Sequence, residues 1–395
     1  MNTTTKLTAL GIAAGMGLAG VSQAYAYPEF EVRGRLHLDA GFYDEDNVEF
    51  DDGFNNRRAR LGVGGDLDEN WDFRIETNVA EGGSGAADYR LRRHIGPGRL
   101  TIGQTKVPMG LNQLTSSNDI TFIERATNQN IIPDSRRLGL FYGVSEDMFT
   151  LETALYGRDL GGRENGDMPL GVAGRFVLNP ALGDGMMVHL GASAAYEDFD
   201  SDSGYANLSF SDRPEGRADP NTRLINTSPV FDDEDNLIFG SQIVANSTTK
   251  YGLELAYQAG PFSAEAEYMN VDVDRDNGAD VSFDGYHVQA SYVLTGESRS
   301  YSGGTFGGIT PRGPGGAWEV AARYSYMDLN DEDVQGGEQE NITLGLNYYY
   351  SRNLRFMANY VMADVTDSQA VSNLTDGETM DDSPNFFVAR MQYAF

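Results

Sequence analysis

The residues with the most chemistry in this chain are arginines that recur at alternate positions. Glu31, Arg33, Arg35, His37 and Asp39 share one parity, while Phe30, Val32, Leu36 and Leu38 share the other. Arg58 and Arg60 alternate with Ala59, Leu61 and Val63. Asp72, Arg74, Glu76 and Asn78 alternate with Trp71, Phe73, Ile75 and Val79. Arg90, Arg92 and His94 oppose Tyr89 and Leu91, and Arg137 opposes Leu138 and Leu140. A guanidinium is planar and permanently charged, and it holds phosphate or carboxylate through paired hydrogen bonds. A row of them is suited to passing an oxyanion from one to the next. The competing use is internal, because the same arginines can neutralise Asp39, Asp72 and Glu76. Later segments carry Glu254, Glu265, Glu267 and Glu319 at the charged parity, with Arg323 the exception. A basic wall facing an acidic wall is therefore expected, with a transverse field between them.

Catalytic chemistry is hard to find. The four histidines, His37, His94, His189 and His287, are scattered without metal-ligand spacing, so no metal site is expected. No Gly-x-Ser-x-Gly, phosphate loop or Gly-x-Gly-x-x-Gly opens a helix, and no serine adjoins a plausible base. The reading is not an enzyme, with no cofactor.

The elements that must position these rows are strands, since side chains of one parity share a face only with a period of two. About sixteen alternating segments run through 30–43, 55–65, 70–80, 86–94, 98–106, 136–143, 147–157, 168–178, 185–196, 248–259, 261–272, 282–294, 316–327, 339–351, 353–364 and 384–395. Each has one apolar face, and no second layer is available to cover them. A charged row facing hydrocarbon would cost about 2–4 kcal/mol per arginine at the midplane. The fold class is therefore all-β, a transmembrane antiparallel β-barrel with the arginine rows lining its water-filled lumen. An even count returns both termini to one side.

Short turns fall at 66–69, 95–98, 144–146, 259–260 and 351–353, and acidic, mostly longer connections at 44–54, 107–135, 197–247 and 365–383. That asymmetry is the barrel pattern of short turns on one side and long loops on the other. Residues 295–315 break it, being long and glycine-rich on the short-turn side. The 197–247 stretch is long enough to hide a strand pair near Leu237–Ala245.

Both chain ends agree with export to an outer membrane. Lys6, the apolar run Leu7 to Val21 and Ala24-Tyr25-Ala26 read as a Sec-type signal peptide over 1–26, cleaved near Ala26, leaving one barrel domain at 27–395. The closing segment Phe387 to Phe395 alternates and ends on an aromatic. It resembles the last strand of outer-membrane β-barrel proteins. The chain has no cysteine, and its 47 glycines, 21 tyrosines and 20 phenylalanines against 13 prolines suit strands, turns and aromatic girdles. The net charge of −30 excludes nucleic acid as a partner. The acids crowd into loops such as Asp44-Glu45-Asp46, Asp232-Asp233-Glu234-Asp235 and Asp381-Asp382, without the ligand order of an EF-hand.

Six segments together resemble the phosphate-selective porins of the O and P type. They are Arg57 to Val63, Gly103 to Pro108, Leu114 to Arg125, Arg136 to Gly139, Gly316 to Ser325 and Arg390 to Phe395. The resemblance implies a sixteen-stranded barrel in a homotrimer, embedded in outer-membrane lipid and lipopolysaccharide, through which phosphate or related small inorganic anions diffuse. It implies that 107–135 is a third loop folded into the lumen. Arg58, Arg60, Lys106, Arg125, Arg136 and Arg137 would then contact anions near the constriction. Within that loop Asn118 is placed to cap a short helix running to Arg125, with Asp119 in its first turn. One departure stands out: those porins also use lysines along the path, and here the lysines are Lys6, Lys106 and Lys250. Two other readings stay open. One is a general diffusion porin with weak or cation-leaning selectivity. The other is a structural or adhesive barrel whose acidic loops hold divalent ions and lipopolysaccharide.

Overall fold

Sixteen strands pair in sequence order, and the last returns to the first. The computed structural model describes residues 29–80, 85–162, 164–183, 185–231, 237–239 and 242–395. The expected signal peptide lies outside the described residues. The strands are β1 Glu29–Asp44, β2 Gly53–Asp66, β3 Trp71–Asn78, β4 Ala86–Ile95, β5 Gly98–Lys106, β6 Arg136–Ser145, β7 Phe149–Tyr156 and β8 Leu170–Leu178. They continue as β9 Met186–Asp198, β10 Ile243–Ala259, β11 Phe262–Arg275, β12 Val281–Val293, β13 Ala317–Asp331, β14 Val334–Tyr349, β15 Leu354–Ser368 and β16 Asn385–Ala394. Every neighbouring pair is antiparallel, and β16 closes on β1 from Arg35↔Ala394 to Asp44↔Asn385. Phe395 extends the seam, since its N–H donates to Gly34 O and its carbonyl accepts from Gly34 N–H, both at 3.0 Å. A Cβ at Gly34 would lie 2.4 Å from the Phe395 ring, so only glycine leaves room for that aromatic end.

Burial is inverted relative to a water-soluble sandwich. The exposed outer face carries Val32, Leu61, Ile75, Leu140, Val172, Leu253, Val288 and Leu344, while the buried inner side carries His37, Arg175, Glu254, Arg323 and Asn341. An apolar exterior around a polar interior matches a barrel in lipid. At the end holding both chain termini, Tyr257, Phe262, Trp318, Tyr348, Phe356, Tyr393 and Phe395 form an aromatic belt, with Trp318 stacked on Tyr348 at 4.5 Å. No described helix is long and apolar enough to cross a membrane.

The wall is uneven in height. Strands β3 to β8 run 8–10 residues, whereas β10 to β15 run 13–17. Among the described residues the 197–247 stretch adds no barrel strand besides the end of β9 and the start of β10. It holds small ladders, Val230–Phe231 with Leu237–Phe239 and Ser211–Asp212 with Ile225–Asn226, and β10 begins at Ile243. The exceptional 294–316 connection hides no barrel strand either: Tyr301–Ser302 and Thr305–Phe306 form a hairpin of their own.

Candidate pore constriction

Three segments enter the lumen, and the first is the third loop, 107–135. Its helical turns are α1 Leu111–Leu114 and α2 Thr127–Ile131. The expected helix from Asn118 to Arg125 does not form. The carbonyls there accept from wall side chains in place of amides four residues on: Arg355 donates to Ile120 O at 2.7 Å and Thr121 O at 2.9 Å. Asn347 also donates to Thr121 O at 2.9 Å, Arg323 to Glu124 O at 3.0 Å, and Arg390 to Ile123 O. Buried carbonyls need partners, and long guanidinium groups supply them without helical geometry.

The second comes from the connection after β9, around Glu215. Glu215 sits fully inside, accepting from Arg323 Nε at 3.0 Å, Ser325 Oγ at 2.6 Å and Thr343 Oγ1 at 2.8 Å. The third is the hairpin at 301–306, which enters from the opposite end. Its Tyr301 hydroxyl meets His189 Nδ1 at 2.6 Å, Gly304 O accepts from Arg175 at 2.7 Å, and Phe306 packs with Leu111 and Ala256. Arg299 beside it donates to Asp119 O at 2.9 Å and Thr121 Oγ1 at 3.1 Å, tying the hairpin to the third loop.

The expected acidic wall exists but does not line open water. Glu254 accepts from Arg175 at 2.7 Å and meets His189 at 2.9 Å. Glu265 accepts from Asn112 Nδ2 at 2.6 Å, and Glu267 accepts the Leu111 and Asn112 amides at 2.7 and 2.8 Å. Glu319 accepts from Asn347 at 2.8 Å and Tyr349 at 2.7 Å. All four are 0–4 % exposed. Glu265 and Glu267 hold the third loop directly, while Glu254 and Glu319 bond wall side chains that in turn reach the inserted segments: Arg175 and His189 to the hairpin, Asn347 to Thr121 O.

The basic wall, β1 to β6, is less covered. The side chains of Arg33, Arg74 and Arg92 are 43, 24 and 26 % exposed. With Arg90 and His94 they line a cavity of about 260 Å³ at the end holding the termini. Farther in, Glu76 lies between Arg35 at 3.4 Å and Arg60 at 3.3 Å, and Asp88 between Arg74 at 3.5 Å and Arg136 at 2.7 Å. One carboxylate serves two guanidiniums in each case, so positive charge remains in excess. Arg33 pairs with Glu31 at 2.5 Å, Arg92 with Asp72 at 2.8 Å, and Arg137 with Asp134 at 2.7 Å and Glu197 at 3.7 Å. Arg90 has no ion pair within 4.0 Å among the described residues and reaches only Thr105, at 3.5 Å. Arg35 faces Arg60 directly across the ladder, and Arg74 faces Arg90. Directly opposed like charges destabilise a sheet, so these pairs are retained against folding stability. Arg35 also donates to Ser117 Oγ at 3.0 Å, the polar edge of the third loop.

Three of the expected anion contacts are committed elsewhere. Lys106 donates to the carbonyls of Gln113, Leu114 and Thr115, capping α1. Arg125 donates to Asn112 O at 2.8 Å and Thr115 O at 2.7 Å. Arg58 lies 3.8 Å from Glu124 in a cluster with Arg57, Arg217 and Arg390. The ladder shows how that cluster arises. His37 opposes Arg58 and Leu38 opposes Asn56, so Arg57 is the extra residue of a β-bulge and turns inward beside Arg58. Burial alone would raise the Glu124 carboxyl, but Arg57, Arg58, Arg390 and Arg217 outweigh it and hold it well below the usual carboxylate range.

Reading by parity missed several residues. Arg355 and Arg390 have the inward parity of their strands and could have been assigned to the lumen. Arg57 has the wrong parity and only the bulge explains it. Glu215, Arg217 and Arg299 lie in loops that carry no period. Glu265 and Glu267, two apart on β11, meet His287 of β12 at 3.6 and 3.8 Å.

Residues 30–395 match the family described as phosphate-selective porin O and P. The chain is 30 % identical to Porin O of Pseudomonas aeruginosa over 405 residues, covering 93 % of this chain and 88 % of the relative. It is also 30 % identical to an uncharacterised protein of Caulobacter vibrioides over 386 residues, covering 93 and 74 %. Among solved structures it is similar to OmpT of Vibrio cholerae, in a loop-deletion form, with TM-score 0.60 at 13 % identity, covering 93 and 99 %. It is similar as well to an anion-selective porin from Comamonas acidovorans, with TM-score 0.55 at 14 % identity, covering 93 and 100 %.

Proposed function

This chain belongs to the phosphate-selective porin O and P family, and we propose that small anions, phosphate or related oxyanions among them, diffuse passively along its arginine wall. The protein is a porin of the Gram-negative outer membrane, a channel in class. The observation that carries the anion reading is the unequal treatment of the two walls. The glutamates of β10, β11 and β13 are buried, while Arg33, Arg74 and Arg92 stay in contact with water, and Arg35 with Arg60 and Arg74 with Arg136 each share a single carboxylate. A guanidinium that shares its carboxylate keeps free donors for a passing oxyanion.

The test is the zero-current potential of the purified protein in a planar bilayer under a salt gradient. Anion selectivity in chloride, with the current blocked by added phosphate, is the expected result. A cation-selective reversal would overturn the proposal and favour a general diffusion porin. The observation behind that second reading is the exposed acid at the loop rim, including Glu45, Asp46 and Asp381.

The assembly proposed is a homotrimer. An eight-residue strand such as β3 or β7 is ~26 Å long, or ~20 Å along the membrane normal at the usual tilt, short of an apolar band ~25 Å tall. A neighbouring subunit against the low wall β3 to β8 would cover that deficit. The trimer form of Vibrio cholerae OmpT is of the same fold. Cross-linking through single cysteines placed on the outer face of β7 would capture trimers, and monomers alone would refute the arrangement.

A further inference from the structure

We propose that Glu265, Glu267 and His287 bind a divalent metal ion of the zinc and manganese class, which pins the first turn of the third loop to the barrel wall. Residues two apart on a strand share a face, and a directly paired residue on the next strand stands beside them. Glu265 and Glu267 are such a pair on β11, and His287 is the ladder partner of Glu267 on β12. Their ligand atoms lie within 4.8 Å of one another. His287 Nε2 is 3.6 Å from a Glu265 oxygen and 3.8 Å from a Glu267 oxygen. An ion about 2.0–2.2 Å from each ligand in tetrahedral geometry separates them by roughly 3.3–3.6 Å, so a small inward adjustment completes the site.

Two independent observations point to a cation there. The first is the imidazole itself. His287 is fully buried, its Nδ1 lies 3.2 Å from Asn128 Oδ1, and its Nε2 makes no hydrogen bond. With the Nδ1 proton donated to the Asn128 carbonyl, the Nε2 lone pair faces two carboxylates. That is the tautomer and outer support of a metal-binding histidine. The second is charge. Glu267 takes both its hydrogen bonds from backbone amides, and Arg299, the nearest guanidinium to Glu265, stands 3.9 Å away. Two buried carboxylates with a single guanidinium at 3.9 Å from one of them leave negative charge for a cation to offset. Two carboxylates and one imidazole, with no thiolate, suit zinc or manganese over calcium or copper(I). The site lies where Glu267 and Glu265 hold Leu111 and Asn112, so an ion there would rigidify the loop that narrows the pore.

The test uses the purified, chelator-treated porin and zinc chloride in equilibrium dialysis, with millimolar calcium present to occupy the acidic loops. One zinc per chain is expected in the native protein. His287→Gln, confirmed as folded by its heat-modifiable mobility, is expected to lose that zinc by more than tenfold in affinity. Asn128→Ala, which leaves all three ligands in place, is expected to weaken it by about 10–100-fold. Absence of a stoichiometric zinc in the native protein would overturn the proposal. Equal zinc binding in native, His287→Gln and Asn128→Ala proteins would overturn it as well, since the loops would be the site.

Discussion

Arg390 and Arg60 are both lumen-facing arginines, yet they live in different solvents. Arg390, on β16, is buried and grips Asp39 at 2.6 and 2.7 Å, Glu124 at 2.7 Å and the Ile123 carbonyl. Arg60, on β2, faces another arginine across the ladder and shares Glu76 with it at 3.3 Å. The same side chain acts as an internal clamp on one side of the lumen and as an incompletely neutralised charge on the other. The wall from β10 to β16 is a docking surface for loops. The wall from β1 to β6 is less covered, with Arg33, Arg74 and Arg92 in contact with water. Guanidinium supports both roles because its five donors can be spent on carbonyls and carboxylates or kept in reserve.

The sharpest way to break this contrast is to remove a clamp. Arg390→Ala leaves Asp39 and Glu124 buried with less compensating charge, and removing one member of a buried ion pair costs about 3–5 kcal/mol. Thermal unfolding in detergent micelles should fall accordingly, and open-channel conductance should rise as the third loop loses its hold on Ile123. Unchanged stability would show that β16 is not part of the docking surface.

The open wall should respond in the opposite sense. Arg60→Ala with Arg74→Ala removes two charges that are partly solvated and that stand opposite other arginines. Partly solvated pairs contribute about 0–1 kcal/mol, and relief of like-charge opposition offsets part of that loss. Stability should therefore move by less than about 1 kcal/mol. Permeation should move more: a unit charge within ~4 Å of a passing anion is worth about 1 kcal/mol even in water, which is roughly a fivefold change. The anion-to-cation permeability ratio from reversal potentials reads this directly. A ratio that stays at the native value would remove these residues from the path.

Strand count, closure and the face of each arginine row were legible because one physical fact, alternation under a lipid exterior, repeats sixteen times. What the inserted loops touch was not legible, because 107–135, 199–242 and 294–316 have no period to read. Asn118 to Arg125 carries a helix-start residue, and its own local signals favour a turn of helix. Those signals lost to Arg355, Asn347 and Arg390, which come from strands more than two hundred residues away. Lys106 illustrates the reverse error. The family resemblance implied an anion contact there, but the carbonyl end of α1 lies within its reach and holds it. Arg57 has the outward parity of its strand and is turned inward by a single bulge.

A smaller effect tests the hairpin that enters from the terminal end. Tyr301→Phe deletes the hydroxyl that meets His189 at 2.6 Å while keeping the ring against Phe306. One buried hydrogen bond is worth about 1 kcal/mol. The expected loss in stability is of that size, with the permeability ratio unchanged because the basic wall is untouched. A shifted ratio would mean that the hairpin, and not the arginine wall alone, sets selectivity.

The least effect, and the finest test of the covered side, is that of mild acid. Glu124 has its carboxyl held well below the usual range by the four arginines around it. A carboxyl depressed on folding stabilises fully above its unfolded value of about 4.3 and loses that contribution as pH falls through the lower folded value. Between pH 7 and pH 5 the third loop should therefore stay clamped, and single-channel conductance should be flat. Arg57→Gln removes the guanidinium that binds both Glu124 oxygens at 2.8 and 3.0 Å. With burial then opposed by fewer charges, the acid edge of the conductance profile should move up in pH. A native profile that already steps between pH 7 and pH 5, or an edge in Arg57→Gln that does not move, would show that the Glu124 cluster does not hold the loop.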